Sequence, residues 1–480
     1  MEKIFKLKQN GTTVRTEILA GITTFMTMAY IIALNPNLIV GFGQGAFGGF
    51  GEDGLAAWNG VFMATCLASA VAMFSMAFLA NKPFALAPGM GLNSYFAVVI
   101  AQIAGAAGCS LLVGLQAGLC IILIEGIVFV ALSIFNVREK IVEAIPLGVR
   151  LGIGPGIGLM LMNIGFGSNA GVGAASENYV MRDFFSALAA SSAKEALGEY
   201  WPAMVLTVCT MFIGLFCIIV LAHYKVKGAV LFGMLGASVI YWAGQAIFLG
   251  VNPFASLATA NWLPPFADMA KTTLFKFDFA TLFSIGWSTV ILLIVTFCII
   301  DMFDTIGTVI ATANRAGMVD KNGNMPQMKE TLLSDAVGTI VGAATGTSTV
   351  TTFVESASGV EAGGRTGLTA LTTGILFLAC IFIAPIAAII PAAATSSALI
   401  YVGILMLNGL KNIDLDDIAI AAPVFIMLLA MPVSGSIGHG IGLGLITYTV
   451  IKVFTGKAKD VSVLTYIISL LFLVKFFLAI

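Results

Sequence analysis

The stretch KPFALAPGMGLN, residues 82–93, interrupts an apolar run with two prolines and two glycines. Proline lacks the N–H that an interior helical position donates, and glycine weakens a helix, so the stretch does not fit one continuous helix. A helix-compatible apolar pattern resumes after it. The sequence therefore predicts a short extended segment followed by a half-helix.

A second irregular stretch, GTSTVTTFVE at residues 346–355, has the same place in the second half of the chain. Its β-branched residues favour an extended strand over a helix. Extended backbone in lipid needs hydrogen-bond partners, and two such segments can satisfy each other beside a polar cavity. We therefore expect the two segments to meet near the middle of a bilayer, each aiming the N-terminus of a half-helix at that cavity. The alternative is a pair of kinked or re-entrant helices without contact to a solute.

The composition around these stretches is that of a membrane protein. Of the 480 residues, 59% are hydrophobic and 10% are charged, and the mean hydropathy is +1.02, whereas soluble domains carry about a quarter charged residues. A net charge of −1 gives no general attraction to nucleic acid. The seven cysteines and two histidines form no CxxC pair or Cys/His cluster, which argues against a disulfide framework or a zinc site. We expect no cofactor.

Apolar runs bounded by charge, glycine or proline predict fourteen membrane spans. They lie at 16–40, 58–80, 84–104, 108–134, 145–165, 202–222, 228–250, 283–313, 330–345, 347–361, 366–389, 392–409, 415–432 and 434–453. The first is too long for the apolar core of a signal peptide and is expected to be retained. A further stretch, 461–480, could span the membrane or lie at its surface. Seven spans in each half predict two repeats of opposite orientation.

The basic residues support this topology. With the N-terminus in the cytoplasm, almost all lysines and arginines of the loops fall on the cytoplasmic side, and the outside loops hold only Arg182, Lys194, Lys271 and Lys276. Cytoplasmic loops of membrane proteins are enriched in basic residues. The sequence therefore predicts a multi-pass protein of the plasma or inner membrane with a cytoplasmic N-terminus.

Few ionisable residues lie deep in the predicted spans. Burying such a residue in a membrane is energetically costly, and the residue usually has a function. Asp301, Asp304 and Thr308 fall at i, i+3 and i+7 of span eight and share one helical face. Glu355 follows the second irregular stretch, and Asn93 follows the first. Carboxylates that share a site of low dielectric oppose one another's ionisation, so Asp301, Asp304 and Glu355 are candidates for carrying a proton. Alternatively, these acids only cap helices or bond to neighbouring backbone.

An acceptor-rich cavity of this kind suits a neutral solute with several N–H donors and repels small anions. Nucleobases are flat, neutral and rich in donors, and Phe353 beside Glu355 offers an aromatic face for a ring. From the residues alone we expect a proton-coupled carrier of a neutral polar solute, with heterocycles among the candidates. Glu125 also lies deep, in span four, where a functional and a structural role are equally open.

Several motifs resemble the AzgA-like branch of the nucleobase:cation symporters, the hypoxanthine/guanine/adenine permeases of the xanthine/uracil permease family. They are GITTFMTMAYI at 21–31, PGMGLN at 88–93, DMFDTIGT at 301–308, GTST through VES at 346–356, and GGRTG at 363–367. Together these motifs are specific, although any one alone is not, and the resemblance covers nearly the whole chain. It implies proton-coupled uptake of purine nucleobases, with hypoxanthine and guanine ahead of adenine.

The resemblance also implies an all-α fold of fourteen spans in two inverted repeats of seven, with short strands and half-helices in spans three and ten. A core domain would carry the substrate and slide, in an elevator-like movement, past a gate domain that forms a homodimer interface. The implied boundaries are a cytoplasmic N-terminus at 1–15, core domain at 16–134 and 283–389, gate domain at 135–250 and 390–455, inter-repeat loop at 251–282 and C-terminal apolar segment at 456–480.

Four residues match positions of that family that bind substrate or are critical for transport: Asn93, Asp301, Asp304 and Glu355. In the wider family, the acid of an acid-x-x-Gly motif on span eight contacts the base. Asp304 fits that motif, because Gly307 follows it at the required spacing.

Three further residues are expected at the site by the same resemblance. Thr308 falls where some uracil permeases have a histidine implicated in proton coupling, so that role moves to Asp304 or Asp301. Phe353 occupies the place of an aromatic residue that flanks the base in relatives. Ser356 belongs to the same motif and is included among the substrate-binding residues.

Other functions remain open at this point. A xanthine or uracil carrier would have the same fold, and the double aspartate of span eight favours the purine branch. A sulfate-permease-like anion carrier shares the architecture but should show a cation at the site. An intramembrane aspartyl protease needs two acids from separate helices, whereas Asp301 and Asp304 lie three apart on one. A passive channel would show neither saturation nor proton dependence.

Overall fold

The computed structural model describes residues 2–41, 48–135, 146–167, 200–258, 260–315, 318, 325–434 and 436–478. Within these ranges the helices and strands, in chain order, are α1 Glu2–Phe5, α2 Val14–Met28, α3 Ile31–Val40, α4 Gly54–Ser75, β1 Leu86–Pro88, α5 Met90–Ala107, α6 Leu111–Ile134, α7 Leu147–Phe166, α8 Tyr200–His223, α9 Ala229–Phe248, α10 Phe266–Thr272, α11 Phe279–Ser284, α12 Trp287–Arg315, α13 Met328–Thr345, β2 Val350–Thr352, α14 Ser356–Glu361, α15 Gly367–Ala379, α16 Ala384–Ala388, α17 Ala392–Met406, α18 Ile418–Ser434, α19 Ile437–Phe454 and α20 Val463–Leu478. A π-helical turn, Met76–Ala80, extends α4.

The two irregular stretches form the strands β1 and β2, which pair with each other in antiparallel fashion. The register places Leu86 opposite Thr352, Ala87 opposite Thr351 and Pro88 opposite Val350. All six residues are buried. Each half of the chain thus supplies backbone partners to the other half, as irregular structure inside a membrane requires. The prediction of one strand in span three and one in span ten is confirmed.

Eleven helices of the described residues are long and apolar enough to cross a membrane. Three more predicted spans complete the fourteen. They are α13, whose first turn is charged, the segment of β2 and α14, and α18, which has 17 residues. The mostly helical fold with seven spans in each repeat therefore agrees with the sequence. The apolar stretch 461–480 contains α20, and Phe472 of α20 packs against Gly442 of α19.

The predicted first span, 16–40, is not one helix but two, α2 and α3, which meet at Tyr30. At this point the N–H groups of Ile32 and Ala33 donate to the carbonyls three residues earlier, those of Ala29 and Tyr30, so the chain forms a tighter turn between the two helices. The break places a tyrosine side chain at the middle of the span.

The long helices pack as two groups. In the first helix group, α13 packs on α4 and α6, and α15 packs on α2 and α4. In the second helix group, α7 packs on α17 and α18, α8 packs on α9 and α17, and α18 packs on α19. The strand pair belongs to the first group, because β1 contacts α4 and β2 contacts α12 and α13.

The predicted inter-repeat loop contains ordered helices in its second half. Helix α10 packs on α4, where the Asn59 side-chain amide donates to Asp268 at 2.6 Å. The Gln116 amide of α6 donates to the carbonyl of Thr272 at 3.0 Å. The N–H of Phe275 donates to the carbonyl of Ala344 at 2.8 Å. This part of the loop is therefore built onto the first helix group.

Replacing Gly346 with alanine is expected to destabilise this contact. Gly346 ends α13 with φ +117°, and a Cβ there would overlap the side chain of Thr273. Backbone strain and overpacking together predict a loss of about 2–4 kcal/mol. The loss can be measured as a lower apparent Tm of the purified protein in detergent.

Gly286→Ala is the matched control for that variant. Gly286 has φ +95°, but a Cβ there would meet open space. Only the backbone strain remains, so a loss of about 1–3 kcal/mol is expected. Equal losses in the two variants would contradict the close packing of Thr273 against Gly346.

Candidate substrate-binding site

The strand pair brings the starts of two helices together. Beyond the paired residues, the N–H of Gly89 donates to the carbonyl of Thr349 at 3.1 Å, and the N–H of Phe353 donates to the carbonyl of Ala85 at 2.9 Å. Helix α5 begins after β1, and α14 begins shortly after β2. The acids predicted to bind a solute lie around this junction.

Glu355 lies between β2 and α14 and is half-buried. Its Oε1 accepts a hydrogen bond of 2.7 Å from the hydroxyl of Tyr30, which is fully buried at the break of span one. A carboxylate can accept about four hydrogen bonds, so this contact leaves acceptor capacity for a solute. Helix α14 has six residues and α5 has 18, so the half-helix expected after the second strand is short.

Asp304 lies on α12 beside the junction of β1 and α5. A Cβ built at Gly89 would lie 3.5 Å from Asp304 Oδ2, an ordinary contact distance, so this carboxylate lies next to the start of α5. The side chain of Asp304 is half-buried, and its charged neighbours are Asp335 and Glu355. Carboxyl groups from α12, α13 and the start of α14 therefore share one region of the first helix group.

Asp301 lies one turn before Asp304 but is fully buried. Its Oδ1 accepts from the hydroxyl of Thr305 at 3.0 Å. That hydroxyl is also 3.1 Å from Asp335 Oδ2 and 2.7 Å from the hydroxyl of Thr351 in β2. Asp301 therefore belongs to a buried network that ties α12 to α13 and the strand pair, behind the half-buried carboxylates of Asp304 and Glu355.

Asn93 and Ser356 are fully buried and bonded to the strand segments. The amide of Asn93 donates to the carbonyl of Pro88 at 3.2 Å and accepts from the hydroxyl of Ser348. Ser356 Oγ accepts from the N–H of Ala85 at 2.9 Å. In this arrangement both side chains hold the strand pair together. Their direct contact with a solute stays a prediction.

Phe353 and Thr308 are also buried. Phe353 follows β2 directly, two residues before Glu355, and Thr308 lies one turn after Asp304 on α12. Both residues therefore lie near the acids along the chain. Their roles beside a bound base stay predictions.

Two residues that neighbour these acids, Asp335 and Tyr30, are not among the site residues predicted from the sequence. Asp335 is a fully buried acid in the otherwise small and apolar stretch SDAVGTIVG of α13. Like Asp301, it is an acid deep in a predicted span, and the cost of burying such a group indicates a function from the sequence alone. Tyr30 is the second-last residue of the motif GITTFMTMAYI, and nothing local in the sequence marks it as a partner of Glu355.

Glu125, whose role was open, lies fully buried on α6. Its Oε2 accepts from the hydroxyl of Thr349 at 2.8 Å. This contact ties α6 to the residue that directly precedes β2. Among the described residues there is no cluster of three His, Cys, Asp or Glu side chains arranged to hold a metal ion.

Comparisons with solved structures identify the fold. The chain is similar to the transmembrane domain of the bicarbonate transporter BicA of a cyanobacterium, with a TM-score of 0.60 and 15% sequence identity over 88% of this chain and 97% of that one. At this identity the likeness concerns the fold alone. The mostly helical fold is similar to that transporter domain and is consistent with two repeats of seven spans.

Comparisons with curated proteins identify the family. The chain is 37% identical to the adenine permease AdeP of Escherichia coli, over 99% of this chain and 95% of the relative. It is 35% identical to the guanine/hypoxanthine permease PbuO of Bacillus subtilis, over 99% of this chain and 100% of the relative. The family Xan_ur_permease, described as a permease family, matches residues 15–434. The chain is therefore a membrane protein that belongs to this permease family.

Proposed function

We propose that this protein is a secondary active transporter that takes up purine nucleobases together with protons. The observation that carries the proposal is the meeting of Asp304 and Glu355, both half-buried, beside the paired strands of spans three and ten. Interrupted segments at corresponding places of two repeats are typical of the substrate sites of transporters. The relatives named above are permeases for adenine and for guanine and hypoxanthine.

The chemistry of the site favours a base with N–H donors. Carboxylate oxygens only accept hydrogen bonds while ionised, so Glu355 and Asp304 complement the ring and exocyclic N–H groups of a purine. Hypoxanthine, guanine and adenine all present such groups. We propose hypoxanthine and guanine as the principal substrates, with adenine as a further one.

Proton coupling is proposed from the crowding of acids. Asp304, Asp335 and Glu355 come from three different segments, and the predicted spans that contain them, 283–313, 330–345 and 347–361, have no lysine or arginine in their sequence. Placing several negative charges together at low dielectric is costly, and a bound proton removes one of them. Asp304 is the proposed carrier, because it is half-buried and has both other acids as neighbours.

An elevator-like movement is proposed from the two helix groups. The first helix group contains the strand pair and the acids, so it would form the core domain at 16–134 and 283–389 that carries the base. The second helix group would form the gate domain at 135–250 and 390–455 and the interface of a homodimer. We place the protein in the plasma or inner membrane with its N-terminus in the cytoplasm.

The proposal is tested by uptake of radiolabelled hypoxanthine into proteoliposomes, with and without an inward proton gradient. Unlabelled guanine, adenine, xanthine, uracil and bicarbonate serve as competitors. We expect saturable uptake that the gradient increases and that guanine or adenine blocks. Competition by xanthine or uracil alone would assign a different base, and competition by bicarbonate would favour an anion carrier. Absence of both uptake and binding for every base would overturn the proposal.

Replacing Asp304 with asparagine is expected to remove the dependence of uptake on the proton gradient or to stop uptake. The amide keeps the size of the side chain but cannot bind and release a proton. Uptake at equal internal and external pH, compared with uptake under a gradient, checks this. Asp416→Asn is the matched control, because Asp416 is exposed between α17 and α18. If uptake by the Asp304→Asn variant still responds fully to the gradient, another acid carries the proton.

A further inference from the structure

The break in span one holds a tyrosine in one fixed place. Tyr30 is the first residue before α3, and its carbonyl accepts from the N–H of Leu34 at 3.0 Å as the first bond of that helix. The ring is fully buried. A phenol buried in apolar surroundings needs a hydrogen-bond partner. For Tyr30 that partner is Glu355, at 2.7 Å.

Helix α3 holds the β2 segment at both ends. Near the middle of α3, the side-chain amide of Asn35 donates to the hydroxyl of Thr347 at 2.8 Å, ahead of β2. At the start of α3, Tyr30 donates to Glu355, just after β2. Asn35 also donates to the hydroxyl of Thr65 on α4 at 2.7 Å. The strand segment is therefore fixed against a neighbouring helix. Of the residues that form these hydrogen bonds, Glu355 is half-buried and the others are fully buried.

We infer that Tyr30 is a positioning residue for substrate binding: its hydroxyl holds the Glu355 carboxylate in the orientation that meets the base. The inference rests on the proposed function, since it concerns the same site. A glutamate side chain has three rotatable bonds, and fixing it at the moment of binding costs conformational entropy. A hydrogen bond that fixes it beforehand removes this cost from the binding free energy. Tyr30 itself stays behind Glu355 and does not contact the base.

The test is Tyr30→Phe, which removes the hydroxyl and keeps the ring. Reconstituted wild-type and variant proteins are compared for the KM and the maximal rate of hypoxanthine and adenine uptake, normalised to folded protein. Loss of a hydrogen bond to a charged group predicts a KM about tenfold higher for both bases. The maximal rate should change little, because the movement of the loaded protein does not involve this bond.

Tyr466→Phe is the matched control. Tyr466 on α20 donates its hydroxyl to the carbonyl of Ala458 at 3.0 Å, so the control removes one phenol hydrogen bond elsewhere. Its KM should equal that of the wild type. If Tyr30→Phe lowers the maximal rate and leaves KM unchanged, the hydroxyl supports folding or movement and the inference is overturned. An unchanged KM and rate would overturn it as well.

The failure of the inference and the failure of the proposed function are distinguishable. A wild-type protein that neither binds nor transports any purine contradicts the proposed function before a variant is made. If Tyr30→Phe yields no folded protein, Tyr30→Met fills the space with a flexible apolar chain and again lacks the donor. A raised KM in that variant supports the inference. Failure of both variants to fold would assign the hydroxyl to stability and overturn the positioning role.

Discussion

Replacing Glu355 with glutamine is expected to weaken purine binding by about 10- to 100-fold. The substitution keeps the length of the side chain and an oxygen that can still accept from Tyr30, whose hydroxyl lies 2.7 Å from Glu355 Oε1. It removes the charge and replaces the other acceptor oxygen with a donor. Against the N–H groups of a purine, that donor loses one hydrogen bond and adds a repulsive contact. The equilibrium Kd of purified protein for radiolabelled hypoxanthine measures the effect.

Glu361→Gln provides the control for this variant. Glu361 is exposed at the other end of the short helix α14, so the same chemical change is made on the same element but outside the site. Its Kd should match the wild type. A Glu355→Gln protein with wild-type affinity and wild-type selectivity among bases would contradict the assignment of Glu355 to the solute.

Replacing Glu17 with alanine is expected to cause the largest loss of stability, about 3–5 kcal/mol, since each buried donor left without an acceptor costs about 1–3 kcal/mol. Glu17 is fully buried on α2. Its carboxylate accepts from the N–H groups of Arg365, Thr366 and Thr369 at 2.8, 3.3 and 3.2 Å, and from the hydroxyl of Thr369 at 2.6 Å. These donors surround the start of α15, where helical N–H groups have no partner within the helix. Glu17 thus acts as an acceptor for α15 from another helix.

The measurement is thermal unfolding in detergent, with Glu17→Gln and Glu52→Ala beside it. Glutamine keeps one acceptor oxygen, so its loss should lie between wild type and alanine. Glu52 is exposed, and its removal should leave the apparent Tm unchanged. An alanine variant as stable as the wild type would show that water or other groups satisfy the start of α15.

The strand pair was predictable because its cause is local. The prolines and glycines of 82–93 and the β-branched residues of 346–355 disfavour a helix by their own conformational limits, before any packing is considered. Extended backbone inside a membrane also needs hydrogen-bond partners for its N–H and C=O groups. The structure pairs these two segments with each other, and the acid that follows the second strand lies at the junction.

The partners of the acids were not predictable, because they arise from contacts between distant parts of the chain. Tyr30 and Glu355 are 325 residues apart, and the sequence around either residue does not identify the other as its partner. Asp335 was visible as a lone acid, but its closeness to Asp304 depends on how α12 and α13 pack. Asp301 and Asp304 lie on one helix, unlike the two acids of an intramembrane protease, but Asp335 on α13 is a charged neighbour of Asp304. The support for a transporter therefore comes from membership of the permease family.

The roles of Asn93 and Ser356 also depend on contacts between distant parts of the chain. Their positions after the two strands were correctly expected, and their hydrogen bonds to Pro88, Ser348 and Ala85 could only be found in three dimensions. A polar side chain beside an irregular backbone segment has two potential partners, the solute and the backbone itself. Spacing along the sequence does not distinguish between them.

An experimental structure of the protein with saturating hypoxanthine would show directly where the base binds. We expect a flat ring density beside the β1–β2 junction, with ring N–H groups at hydrogen-bond distance, about 3 Å, from Glu355 and Asp304. The Tyr30 hydroxyl should remain bonded to Glu355 in that structure. A base that lies away from both carboxylates, or between the second helix group and lipid, would contradict the site and with it the roles assigned to its residues.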